Sequence, residues 1–182
     1  MKMNSDEMNQ DEFDQDTLNK EMLLDLFYNA KGNIDKINET IDKKLFGTRK
    51  RSISFFEKLV RARLILNSKV LNLVNLEITP FEILYLSHYP GLNNVEELDL
   101  RKNLIGDEGL EALLSSEKIL NIRKLDLRNN QISRKGLEIF SRTNKLKKLE
   151  TLDLRSNRLG KLWEKKLKST GKFPNLSSVR TA

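Results

Sequence analysis

Three carboxylates recur at a fixed interval. Asp99, Asp126 and Asp153 are each 27 residues apart, and each lies in the string LDLR. Carboxylates stacked on adjacent strands, about 4.8 Å apart, could share a proton or hold a cation. However, Arg101, Arg128 and Arg155 stand two residues further on, on the same face of an extended chain. A guanidinium beside each carboxylate keeps it ionised, which suits neither a general acid nor a ligand cage. The Asp and Arg rows are therefore read as charge-paired ladders. The remaining chemical inventory is short. Cys is absent and His occurs once, at His88 in LSHYPG. This excludes disulfides, thiolate metal sites, cysteine nucleophiles and paired-histidine chemistry. A nucleophile elbow is missing, and GDEG at Gly106–Gly109 is a repeat element without the P-loop pattern. The expectation is a non-enzymatic protein with no cofactor.

The elements that carry these residues are repeats. VEELDLRKNLI from Val95, IRKLDLRNNQI from Ile122 and LETLDLRSNRL from Leu149 align without gaps at a step of 27 residues. The step also relates Leu98, Leu125 and Leu152; Leu100, Leu127 and Leu154; and Asn103, Asn130 and Asn157. One step forward, Leu176 and Val179 keep the apolar positions. One step back, Leu71, Leu73 and Ile78 keep them, with Leu76 in place of the Asn. In LDL, alternate residues face opposite ways, so the two Leu point to a core and the Asp points out. The Asn amide, just past the strand, is expected to turn inward and satisfy buried backbone groups. Leu110, Leu113 and Leu114, and again Leu137 and Phe140, sit at helical spacing after the strand. Gly109 and Gly136 share one repeat position, expected where helix packs close to the strand layer. The third copy departs: Trp163 replaces that Gly, Glu164 replaces Leu, and Leu162, Trp163 and Leu167 are its buriable residues. Trp163 is read as a core plug, with an exposed binding aromatic as the alternative.

The pattern LxxLxLxxNxL resembles the leucine-rich repeat, and strand plus full helix in 27 residues is similar to its ribonuclease-inhibitor-like class. The resemblance covers residues 70–182. It implies an α/β, short right-handed solenoid, with a curved parallel sheet on the concave side and helices on the convex side. It also implies docking of a folded protein partner on the concave face, with occlusion of a partner enzyme's active site as the inhibitory mode. The Lys/Asn/Ile-rich, Cys-free style with an added helical cap resembles small leucine-rich-repeat effectors of intracellular bacteria such as Legionella.

Ahead of the repeats, residues 1–16 are acidic and Asn/Gln-rich, and read as a disordered tail. Residues 17–69 read as a helical N-terminal cap. One helix opens at Thr17, a second at Ile34 carries Ile34, Ile37, Ile41 and Leu45, and a third opens with Ser54 and Glu57 at capping-box spacing. The third is expected to bury Phe55, Phe56, Leu59 and either Leu64 or Ile65. Thr79–Pro80 starts a short helix before Pro90–Gly91. Such helices would cover the open sheet edge and apolar core of the first repeat. The repeat domain is placed at 70–182, with units starting at 95, 122 and 149 and a partial unit at 176.

Charge divides unevenly. Residues 1–40 hold 4 Lys/Arg and 10 Asp/Glu, leaving the remaining residues strongly basic in a chain of net +7. Lys43, Lys44, Arg49, Lys50, Arg51, Lys58, Arg61 and Arg63 form a basic stretch, and Lys165, Lys166 and Lys168 a second. These support an alternative function, a basic nucleic-acid or anionic-membrane binder. The bland reading is a solvated face beside an acidic tail. The N-terminus is no secretory signal, and no apolar run reaches the roughly 18 residues of a membrane helix. The expected place is the cytoplasm, with export into a host cell if the effector resemblance holds. The free protein is expected to be a monomer. Outward strand positions form the candidate partner-binding grid. Glu97, Lys124, Thr151 and Ser178 make one column; Asp99, Asp126 and Asp153 the next; Arg101, Arg128 and Arg155 a third, extended by Arg180. Lys102, Asn129 and Ser156 follow.

Overall fold

A strand of three residues suffices in each turn of this chain because its middle residue is always an apolar anchor in register with the next. The computed structural model describes residues 52–157 and 159–181. The chain divides into two compact units, residues 1–55 and 56–182. The expected acidic tail, the helices expected from Thr17 and Ile34, and the basic residues Lys43 to Arg51 lie outside the described residues. Described in order are α1 (Ile53–Leu66), β1 (Val70–Asn72), α2 (Pro80–His88), a 3-10 turn (Pro90–Asn94), β2 (Glu97–Asp99) and α3 (Gly106–Ser115). They are followed by β3 (Lys124–Asp126), α4 (Arg134–Arg142), β4 (Thr151–Asp153), α5 (Leu162–Ser169) and β5 (Ser178–Arg180).

The five strands form one parallel sheet in sequence order. Parallel neighbours need a long crossover, which a helix supplies between each pair. Register follows the 27-residue step: Leu71, Leu98, Leu125, Leu152 and Val179 are aligned, and all are buried. Leu73, Leu100, Leu127 and Leu154 make a second buried row, and Ile78, Ile105 and Ile132 a third. Over these residues the chain is thus an α/β solenoid of parallel strands alternating with helices, with one sheet face packed on the core and the other bearing the polar residues.

The Asn positions act as expected. Asn103 Oδ1 accepts from the N–H groups of Leu76 and Ile78, both at 3.0 Å, and its Nδ2 donates to the carbonyls of Leu73 and Leu100. Asn157 repeats this with Asn130 and Ile132 as donors and Leu127 and Leu154 as acceptors. Asn130 donates to Leu100 and Arg128, while its buried Oδ1 finds no hydrogen-bond partner among the described residues.

The glycines do something different from the expectation. A Cβ at Gly109 would lie 3.1 Å from Pro80 Cα, and one at Gly136 would lie 2.3 Å from Asp107 Oδ1. With Ile105 Cγ2 at 2.7 Å and Ile132 Cγ2 at 2.9 Å from the same two positions, the close approach is to the preceding helix and to the buried Ile at the start of the glycine's own helix, not to the strands. Asp107, in the first turn of α3, accepts from the backbone N–H of Ser133 at 2.8 Å and from its hydroxyl at 2.5 Å. Ser133 in turn caps α4 by accepting from Lys135 N–H. Gly136→Ala is therefore expected to displace the Asp107 carboxylate and destabilise by about 1–3 kcal/mol. Urea unfolding of this variant beside Asp107→Asn would measure it.

Other expectations shift in detail. α1 is capped two residues earlier than the Ser54 reading: Ser52 Oγ accepts from Phe55 N–H, and Glu57 pairs with Arg61 at 2.7 Å. Its buried stripe is Ile53, Phe56 and Val60, leaving Phe55 58% and Ile65 77% exposed. Spacings of three and four residues place these on one face and Phe55 off it. Thr79 caps α2 in a full capping box with Glu82. In the divergent third copy, Trp163 is buried in the core with Lys166 Nζ 4.1 Å from its ring centroid, whereas Leu162 is 78% exposed. Glu164 also finds its reason. Leu127 and Leu154 N–H groups donate to the carbonyls of Asp153 and Arg180 on the next strand. Thr181, one step on, donates its N–H to Glu164 Oε1 at 2.8 Å instead. The Leu-to-Glu exchange supplies the acceptor that a further strand would offer.

Candidate functional site

The open face of the sheet is built from alternate strand positions, and register aligns them into columns. Glu97, Lys124, Thr151 and Ser178 are paired in sequence across β2 to β5. Lys124 Nζ reaches Glu97 Oε1 at 2.7 Å. Asp99, Asp126, Asp153 and Arg180 make the second column. This corrects the expectation for Arg180: it stands in the Asp column, in register with Asp153, and does not extend the Arg column.

Each Asp is locked by its own Arg. Arg101 Nε lies 2.8 and 2.9 Å from the two Asp99 oxygens, and Nη2 lies 2.6 Å from Oδ2. The backbone N–H of Arg101 also donates to Asp99 Oδ1. Arg128 with Asp126, and Arg155 with Asp153, repeat this arrangement. Two residues of separation, with the chain turning after the strand, bring the guanidinium edge-on to the carboxylate, the geometry of a strong charge-assisted pair. The ladder is also laced between strands: Arg101 Nε is 3.5 Å from Asp126, and Arg128 Nε 3.6 Å from Asp153.

Lys102, Asn129 and Ser156 lie just beyond the strands in left-handed backbone, with φ of 56°, 53° and 59°. They are exposed, and the interstrand bonding runs on through them, from Lys102 N–H to Arg128 O and from Asn129 N–H to Arg155 O. The fourth column is thus a row of left-handed turns at the rim of the sheet. A further ladder escaped the sequence reading. Glu96 pairs with Lys69 at 2.8 Å and with Arg123 at 3.7 Å, and Arg123 pairs with Glu150 at 2.6 Å. The signal was the same 27-residue step, with charge alternating along it.

Electrostatics follow from this geometry. Hydrogen bonds to their own Asp partners raise Arg101, Arg128 and Arg155 above the ordinary guanidinium range, so all three are fixed cations. At Asp153, burial pushes the carboxyl up, but the Arg155 side-chain and backbone hydrogen bonds and the charges of Arg155 and Arg128 hold it below the usual carboxylate range. Folded Asp153 therefore binds fewer protons than unfolded Asp153. Its contribution is fully present above the unfolded pKa of about 3.9 and is lost as pH falls through the folded value. Thermal unfolding should show stability falling from about pH 4 downward. Asp153→Asn should be less stable at neutral pH and show a shallower acid limb.

Among the described residues no group of His, Cys, Asp or Glu is arranged to hold a metal ion, and no helix is long and apolar enough to cross a membrane. His88 is exposed at the end of α2, its Nδ1 within hydrogen-bonding distance of the Leu84 carbonyl and Ser87 Oγ. What the open face offers is an array of ion pairs set by the register of the strands.

The Leucine Rich repeat family model matches this chain at residues 91–114, 119–140 and 145–161. These three stretches contain β2, β3 and β4 and most of the helices that follow the first two. Over these stretches the chain therefore carries leucine-rich repeats, which in general serve as protein–protein interaction modules. No curated protein matches it.

Proposed function

We propose that this protein docks a folded protein partner on the open face of its sheet, through Glu97, Lys124, Thr151 and Ser178, the Asp–Arg ladder, and the rim residues Lys102, Asn129 and Ser156. The observation that supports this is the ladder itself. Arg101, Arg128 and Arg155 are held in fixed geometry but remain about one-third exposed, with side-chain exposures of 36%, 30% and 36%. Side chains already immobilised lose little further freedom on binding, and Arg is enriched at interface centres. Charge complementarity would set association rate and partner choice.

The 27-residue unit with its full helix supports the ribonuclease-inhibitor-like class, and with it occlusion of an enzyme's active site as the mode of action. In this reading the protein is a monomer when free and works in a cytoplasm, its own or that of a host it enters as an effector or effector regulator.

The test is capture of the partner by wild type and by Arg128→Gln plus Arg155→Gln. Charge reversal is the poorer choice, because new carboxylates would face Asp126 and Asp153. Partner recovery should be lost with the neutral pair while thermal unfolding stays cooperative, and kept with Arg134→Gln plus Lys135→Gln on α4. Equal recovery by both pairs would overturn the assignment of the face. Binding whose affinity falls steeply with salt and is competed by nucleic acid would favour the nucleic-acid alternative.

A further inference from the structure

The Asp–Arg ladder has a direction, and at one end it is unfinished. Each Arg serves the Asp of its own turn and leans toward the Asp one strand further on, as Arg101 does to Asp126 at 3.5 Å and Arg128 to Asp153 at 3.6 Å. Arg155 has its own Asp153 at 2.7 Å. The next position in the column, in register with Asp153, is Arg180. Arg180 is exposed and makes no ion pair with any described residue. Where the ladder would place a fourth carboxylate it has a second cation. Asp153 cannot serve both, because its oxygens are already taken by Arg155 and approached by Arg128.

We propose that Arg155 and Arg180 form the anchoring site for a carboxylate side chain of an acidic protein segment, which takes the place of the missing fourth Asp. The site rests on the reading that the open face receives a protein partner, and it gives that partner's chemistry. A guanidinium presents parallel N–H donors that match a carboxylate, and this end of the ladder carries two cations, Arg155 and Arg180, on adjacent turns. Arg155 is already oriented by Asp153, so one half of the site is organised before the ligand arrives.

The test uses the full chain and a fluorescein-labelled hexaglutamate peptide, with fluorescence anisotropy at low ionic strength. Arg180→Asp would complete the ladder within the chain. It is expected to weaken hexaglutamate binding at least about tenfold, as loss of a charged hydrogen-bonded contact would, while its thermal midpoint stays at or above that of wild type. Arg180→Asn should weaken binding without adding a carboxylate. Lys135→Glu on α4, which makes the same change in net charge, should leave binding within about twofold. Equal losses from Arg180→Asp and Lys135→Glu would overturn the site and reduce the effect to net charge. Tighter binding of a 20-nucleotide single-stranded DNA with the same dependence on Arg180 would also overturn it, in favour of a phosphate polymer. If Arg180→Asp leaves hexaglutamate binding intact while Arg128→Gln plus Arg155→Gln loses the captured partner, this site fails and the open-face reading stands. If hexaglutamate binding depends on Arg180 but partner capture ignores the open face, the site stands and the broader reading fails.

Discussion

Asn103→Ala is expected to lower the unfolding free energy by about 3–5 kcal/mol, among the largest effects of any single polar substitution in this chain. The reason is arithmetic on buried groups. Asn103 Oδ1 accepts from the buried N–H of Ile78, and Nδ2 donates to the buried Leu73 carbonyl. Each loses that bond, at roughly 1–3 kcal/mol apiece, and a void replaces the amide. The Leu100 carbonyl is spared, since Asn130 Nδ2 also donates to it at 2.8 Å. Asn157→Ala should cost less, because Asn157 makes the same bonds while partly exposed. Urea denaturation of both variants checks the order. A loss below about 1 kcal/mol at Asn103 would mean that the amide does not hold neighbouring turns together.

Phe140→Ala is the second large expectation, about 3–5 kcal/mol. Phe140 is fully buried on α4, and its ring centroid lies 5.3 Å from that of Phe173, which sits in the segment leading to β5. Truncation removes the α4 ring that Phe173 packs against. Proteolysis near residues 170–176 should therefore accelerate before the remainder of the chain becomes susceptible. Leu162→Ala, at an exposed position one repeat on from Lys135, should change stability by no more than about 0.5 kcal/mol.

How much of this was legible in the sequence depended on whether a residue's neighbours repeat. The Leu and Asn anchors recur at one interval, so strand register, the core rows and the inward amides could be read directly. The Asp–Arg pairing was legible for the same reason. Arg180 was misplaced although the 27-residue step from Asp153 leads to it; the Arg likeness to Arg155 drew it into the wrong column, and the segment SSVR has a single apolar anchor to correct the slip. Gly136 was identified as a close approach, but its neighbour is Asp107, which repeats neither in type nor in role in the next turn. Phe55 is expected to be buried because it is apolar, as is one of Leu64 and Ile65, yet Phe55 and Ile65 are exposed. Burial follows the helix face, and in an unrepeated segment only packing decides which face that is. Glu164 looked like a lapse in the pattern until Thr181 showed what it accepts.

The central claim is that the open face of the sheet meets the partner, and site-specific photocrosslinking tests it most directly. A benzoylphenylalanine at Thr151, on the open face in β4, should join covalently to the captured partner. The same group at Glu138, exposed on α4, should not. Crosslinking from position 138 but not from 151 would put the partner on the helices and contradict the account.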